Sequence, residues 1–352
     1  MINYRLKCEP LTPIHIGSGE EIDAYEYVVA GGKLHKLNLE NFLSALSLSE
    51  QEQALKFIET DVFAFRDFAS GVFEKLDGDK VVDFSTPITK KFLEIYNSKI
   101  DDTENKLAVR LFSRSLDKPF FPGSSLKGAI RTAVLGELYP ARKDEIAKLE
   151  RWEIKKKFEQ AILNCSGPQS DPFKAVKTSD SLTLFQTLVV NSRVSTFRRG
   201  NWECDKYNIF LEVVNIGSIF EMELRIDEKL QIQNKKRNSG FIPIGLDLIS
   251  KSCRDFYSAH LDNEMRRLRD SRARSQIETL KVKFSEIKKC SDFSFPLRVG
   301  WGSGFDAVTL KGSDDFIKYI NPKLKEIKSA KLVQDAIPMG WLKVIPSEMN
   351  NN

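Results

Sequence analysis

The stretch Phe120–Val134 reads FFPGSSLKGAIRTAV. An aromatic lead-in meets Pro122-Gly123, which ends the preceding segment, and Ser124 or Ser125 can cap a helix. Leu126, Ala129, Ile130, Ala133 and Val134 recur at helical spacing, which predicts a helix over Ser124–Leu138. Lys127 and Arg131 stand four residues apart and share one face. The N-terminus of a helix carries unpaired N–H groups and partial positive charge, which attract phosphate. The stretch therefore reads either as an ordinary capped helix with two surface cations or as a small phosphate site. It is not a Walker A loop, because Lys127 precedes Gly128 and the spacing from Gly123 is wrong.

Working outward, a strand at Tyr4–Leu11 runs into TPIHIGSG at Thr12–Gly19. Alternating runs at Ala24–Val29 and Lys33–Leu37 flank Gly31-Gly32, a hairpin signal. Helices are expected from Asn38 to Leu46 and, with breaks, from Ser49 to Ser70, while Asp77–Asp102 has no clear pattern. Lys106–Arg114 reads as a strand and Arg142–Leu163 as a charged helix. Residues 165–181 (CSGPQSDPFKAVKTSDS) have linker composition. Beyond them come a strand at Leu184–Phe197 and a second hairpin, Asn208–Val214 with Ile219–Ile226. A long helical stretch, Leu246–Lys289, is interrupted near Asp270-Ser271. A strand at Phe293–Val299, a glycine loop at Gly300–Asp306, a helix near Asp314–Lys325 and a strand at Trp341–Ile345 close the chain. Helices alternating with hairpins fit an α+β protein. The economical reading is two tandem ferredoxin-like (RRM-like) domains with helical insertions, residues 1–180 and 181–352.

Composition narrows the function classes. The 352 residues are 41% hydrophobic and 29% charged, with net charge +5, which permits nucleic acid without demanding it. Cys8, Cys165, Cys204, Cys253 and Cys290 are scattered without CxxC spacing, and no secretory signal is visible, so reduced thiols and a cytoplasmic location are expected. No apolar run approaches the roughly 18 residues of a membrane span. The histidine and cysteine spacings offer no metal site, no cofactor motif is present, and no GxSxG elbow or acid/base pair stands out.

Binding signals are more numerous. Gly17, Ser18 and Gly19 follow a strand and can form an anion-binding nest or a plain turn. His15 has the pKa of a general base, yet it alternates with Ile14 and Ile16 as a structural residue on a strand face would. LRVGWGSGFDAVT at Leu297–Thr309 places Arg298 and Trp301 among Gly300, Gly302 and Gly304. It departs from GxGxxG, and suits either RNA contact with base stacking or a packed glycine turn. Arg193, Arg198 and Arg199 flank a strand end, and Lys235, Lys236 and Arg237 fall in an Asn-rich loop. Either cluster is useful on phosphate. The arginines of Arg266–Arg274 are mixed with carboxylates, as on a solvated face.

Together these residues resemble a known family. PGSSLKGAIRTA at 122–133 is similar to the signature of RAMP proteins, the RNA-binding subunits of CRISPR effector complexes. TPIHIGSGE at 12–20 and VGWGSGFDAVT at 299–309 resemble the first and last glycine-rich segments of the fifth-subunit family of type III-A Csm complexes. The resemblance implies two RRM-like folds and a place at the end of the Csm backbone that holds the 3′ end of the guide RNA (crRNA). It implies a non-catalytic role in crRNA maturation and antiviral defence. The expected partners are crRNA, target RNA, the repeated backbone subunit and recruited host nucleases. By matching motif, Gly17, Ser18, Gly19, Ser124, Ser125, Lys127, Gly128 and Arg131 become RNA-contact candidates. Gly300, Gly302 and Gly304 become a loop that is structural or touches RNA. Two alternatives stay open: a metal-independent RAMP endoribonuclease using His15, and a type III-B (Cmr) paralogue.

Overall fold

A computed structural model of the chain describes residues 1–100, 107–290, 292–304 and 329–349. In the strand Ile2–Pro10, buried Tyr4, Leu6 and Cys8 alternate with Arg5, Lys7 and Glu9. That is the period of a strand with one face inward. It pairs antiparallel with Phe220–Ile226 on one side and Trp341–Glu348 on the other. Val176–Thr178 and Phe295–Arg298 extend this first sheet at its two edges. The helices Gly123–Ile146 and Leu246–Arg267 cover its apolar face. Leu126, Ile130, Ala133 and Val134 from one, and Ile249, Cys253 and Tyr257 from the other, join Leu6, Met222, Leu224, Leu342 and Val344 in one core. Each large apolar side chain buried there contributes roughly 1.5–3 kcal/mol.

Four of these strands and the two helices follow one another as βαββαβ. The fourth strand lies beside the first, the first beside the third, and the third beside the second. That is the ferredoxin-like order, and it runs through the whole chain. The intervening segments build a second, mixed sheet: Ile337–Pro338, Ser329–Val333, Thr187–Arg198, Ile209–Val214, Val109–Phe112 and Gly17–Ile22, in that order, with Asn201–Cys204 against Thr187–Arg198. Strands from both sides of residue 180 therefore enter both large sheets. A small sheet, Tyr27–Ala30, Lys33–Leu37 and Val82–Pro87, carries the helices Leu39–Ser44, Leu48–Thr60 and Val62–Phe73 around its own apolar cluster.

Several sequence expectations change. The helix starts at Gly123 with Pro122 at the cap position and no side-chain cap from Ser124 or Ser125. It continues through Pro140 to Ile146. Residues 165–181 are not a linker: Phe173, Ala175 and Val176 are buried, and Val176–Thr178 is a strand of the first sheet. Ile209–Val214 and Phe220–Ile226 are not a hairpin but enter different sheets. Lys235, Lys236 and Arg237 form the last turn of the helix Glu228–Arg237, where cations complement the helix dipole. The break in the long helical stretch is found, between Leu246–Arg267 and Arg274–Lys289. The helix expected at Asp314–Lys325 lies outside the described residues.

Candidate RNA interface

The two glycine segments, far apart in sequence, meet at His15. Trp301 N–H donates to the His15 carbonyl oxygen at 2.7 Å. Gly300 has φ +79°, and a Cβ there would collide with the same oxygen, so only glycine fits. His15 itself is buried. Its Nδ1–H donates to the Glu212 carbonyl at 2.7 Å, leaving Nε2 as an acceptor that faces Gly17. Burial pushes its pKa down, which keeps the ring neutral. The Glu212 carboxylate, also buried, accepts from Arg114, from Thr86 at 3.1 Å, from Thr187 at 2.6 Å and from the Phe112 N–H at 3.0 Å. This satisfied network fixes the junction to the second sheet.

Trp301 lies edge-on to His15 and collects two cations that sequence reading passed over. Lys331 Nζ sits 3.9 Å from the indole centroid and the Arg110 guanidinium 6.0 Å from it. Arg110 also pairs with Glu21 at 2.6 Å. Lys331 has no carboxylate partner among the described residues. Burial, then the nearby Arg110, lower its pKa. Beside this patch Gly17, Ser18 and Gly19 are exposed in an edge strand whose register shifts between Gly17 and Glu21. No local pattern marks Lys331 or Arg110 as special; only strand pairing brings them to Trp301.

The opening motif is placed differently. Gly123 N–H donates to the Asp180 carboxylate at 2.8 Å, and a Cβ at Gly123 would collide with the Ser179 carbonyl. The helix start is thus docked on residues 178–180. Arg131 pairs with Glu159 at 2.8 Å and Asp171 at 2.9 Å and lies over Phe173, which ties the helix to its neighbours. Ser124 and Gly128 are exposed and Ser125 and Lys127 half-buried. Burial depresses the Lys127 pKa, helped by Arg131 and Lys177 and opposed by Asp171. No hydrogen bond or ion pair among the described residues joins Lys127 to the glycine junction. The link is backbone: Ser113 donates to the Ile16 carbonyl and Phe120 N–H to the Ser113 carbonyl.

Other candidates divide by burial. Arg298 is 4% exposed and internal: it pairs with Glu264 at 2.7 Å, donates to His260 at 2.8 Å and to the Met339 carbonyl at 3.1 Å, and lies over Trp341. It braces the Gly302 loop from inside, donating to the Gly302 carbonyl at 3.5 Å. Arg193 forms a two-pronged pair with Asp335. Arg198 and Arg199 project at the exposed tip of a hairpin, Arg198 paired with Asp205 at 3.6 Å. Arg237 lines an open cleft of about 670 Å³ with Lys157, Asn164, Ser170, Leu149 and Ala161. The open face of the first sheet, where an RRM stacks bases, carries Arg5, Lys7, Glu9, Glu221, Glu223, Arg225 and Lys343 in mutual ion pairs. Among the described residues no His/Cys/Asp/Glu cluster could hold a metal, and no helix is long and apolar enough to cross a membrane.

Ferredoxin-like strand order, a motif-bearing helix on that sheet and a glycine loop at its edge define the class by structure, and the family match agrees: residues 7–305 match the RAMP superfamily, to which the chain belongs. Among individual proteins, it is 26% identical over 316 residues to the "CRISPR system Cms protein Csm5" of Methanocaldococcus jannaschii, covering 86% of this chain and 72% of the relative. Two solved structures share the fold. A chain of the "Csm-crRNA-target RNA ternary complex in type III-A CRISPR-Cas system" superposes with a TM-score of 0.66 at 21% identity, over 99% of this chain and all of that one. T.onnurineus Csm5 gives 0.65 at 19% identity, over 96% and 99%.

Proposed function

We propose that this chain is a non-catalytic RNA-binding subunit of a type III-A Csm effector complex, seated at the 3′ end of the crRNA and needed for crRNA maturation. The carrying observation is the convergence of Gly17–Gly19 and Gly300–Gly304 on one surface with Arg110, Trp301 and Lys331. The Csm5 relatives favour Csm over Cmr neighbours, and crRNA, target RNA and the repeated backbone subunit are the partners this reading names. Host nucleases for trimming belong to the same reading. The first sheet with its two helices is one RRM-like unit. The second sheet, with the helix Lys90–Lys99 packed on it through Phe92 and Tyr96, is the other.

The burial of His15 supports a non-catalytic role. A general base must reach the proton it takes, and this ring is 3% exposed with Nδ1 engaged. The test is co-expression with a CRISPR array and the remaining subunits. The chain should co-purify with crRNA and the backbone subunit, and its deletion should leave crRNA of unprocessed length. Purified alone, it should leave repeat RNA intact in EDTA. Cleavage that His15→Ala abolishes would establish the endoribonuclease reading instead.

A further inference from the structure

We propose that Trp301 is a positioning residue that holds Lys331 and Arg110 around one phosphate of the RNA backbone, and is not a stacking platform for a base. The inference rests on the RNA-binding reading above and assigns its chemistry. A ring with an ammonium 3.9 Å from its centre cannot take a base on that face without displacing the cation. The residue is held as well by its backbone N–H on the His15 carbonyl, and the His15 ring stands perpendicular to the indole at 6.4 Å between centroids. Gly302, at φ +82°, adopts backbone that favours glycine, and a Cβ there would crowd the Met339 sulfur at 3.1 Å while touching the Lys331 Cβ at an ordinary 3.5 Å.

The electrostatics ask for an anion. Two cations lie within 6.0 Å of one ring centre, and among the described residues the only carboxylate paired with either is Glu21, bound to Arg110. Among those residues the patch therefore carries one positive charge more than its carboxylates balance, matched by one phosphodiester. A half-buried ammonium beside a guanidinium is held there by the indole at an electrostatic cost that a phosphate would relieve. The adjacent Gly17–Gly19 edge lets a backbone approach closely. Such a site grips ribose-phosphate irrespective of base.

The test is fluorescence anisotropy of the full chain with a single-stranded RNA oligomer and with an abasic oligomer of the same length. Lys331→Met, which keeps the aliphatic stem, should weaken both ligands by a common factor, roughly five- to tenfold at 0.1 M salt. It should also reduce the salt slope by about 0.7, the value for one phosphate on a single strand. Lys331→Arg should restore both. Trp301→Phe should behave as wild type and Trp301→Leu as Lys331→Met, with thermal melting confirming that each variant folds. If Trp301→Leu weakens only the base-bearing oligomer, the ring stacks on a base and the proposal is overturned. It is equally overturned if Lys331→Met leaves the salt slope unchanged while wild type binds. Wild-type protein that binds neither oligomer removes the RNA reading itself.

Discussion

Replacing Arg298 by alanine should destabilise the protein by about 3–5 kcal/mol, the cost of breaking a buried pair by removing one partner. Arg298 and Glu264 have side chains 3% and 1% exposed. Without the guanidinium, the Glu264 carboxylate is left, among the described residues, with the Trp341 Nε1–H at 3.3 Å and the Arg267 guanidinium at 3.7 Å. His260 Nε2 and the Met339 carbonyl also lose their donor. Domains of this kind are stable by roughly 5–15 kcal/mol, so the loss is a large share of the total. With an m-value near 3 kcal/mol/M it moves the urea midpoint down by about 1–1.7 M. Far-UV circular dichroism against urea measures it directly. The double variant Arg298→Met, Glu264→Leu should recover much of the loss, because an apolar pair leaves no orphaned charge. A single variant with an unchanged midpoint and weakened RNA binding would refute the reasoning and return Arg298 to the RNA surface.

Three further outcomes are expected. Gly128→Ala, in an exposed helical position with nothing within 4 Å of the added methyl, should stabilise by about 0.5–1 kcal/mol on thermal melting; a simultaneous fall in RNA affinity would mean that RNA approaches the helix at this residue. Gly300→Ala should cost more than 1 kcal/mol, through both the strained φ and the collision with the His15 carbonyl, and should loosen the glycine junction enough to raise amide exchange at Trp301. His15 has a depressed pKa in the fold, so the unfolded chain binds its proton first: stability is full above about pH 6.5 and falls as pH drops below it, and His15→Gln should flatten that part of the urea-midpoint profile between pH 7 and 5.

Local patterns carried much of the fold. The alternation at Tyr4–Leu11, the Gly31-Gly32 turn and the break at Asp270-Ser271 all reappear, because each is decided by residues within a few positions. What failed depended on distant partners. Ile209–Val214 is almost wholly buried while Phe220–Ile226 alternates; that contrast between a two-sided and a one-sided strand was the available sign that they belong to different sheets. Polar Pro172 neighbours disguised Phe173 and Val176 as linker. At the site, glycine spacing located the junction, but charge alone could not separate Arg298, inside the core, from Lys331, beside Trp301. Each is settled by a residue from another part of the chain: Glu264 for one, Trp301 for the other. Glu212, in the apolar run IFLEVV, was a readable sign of a buried carboxylate.

The central strand Ile2–Pro10 is made long before its neighbours and completed last. Arg5 meets Glu221 across 216 residues and Ser347 across 342. At roughly 5–20 residues per second, its first neighbour leaves the ribosome some 10–40 s after it, and its second later still. Throughout that interval Tyr4, Leu6 and Cys8 have no sheet to enter and both edges of the strand are open. A ribosome that stalls before residue 220 therefore releases a chain whose first sheet lacks both neighbours of its central strand, and that displayed apolar edge is a substrate for chaperones and proteases.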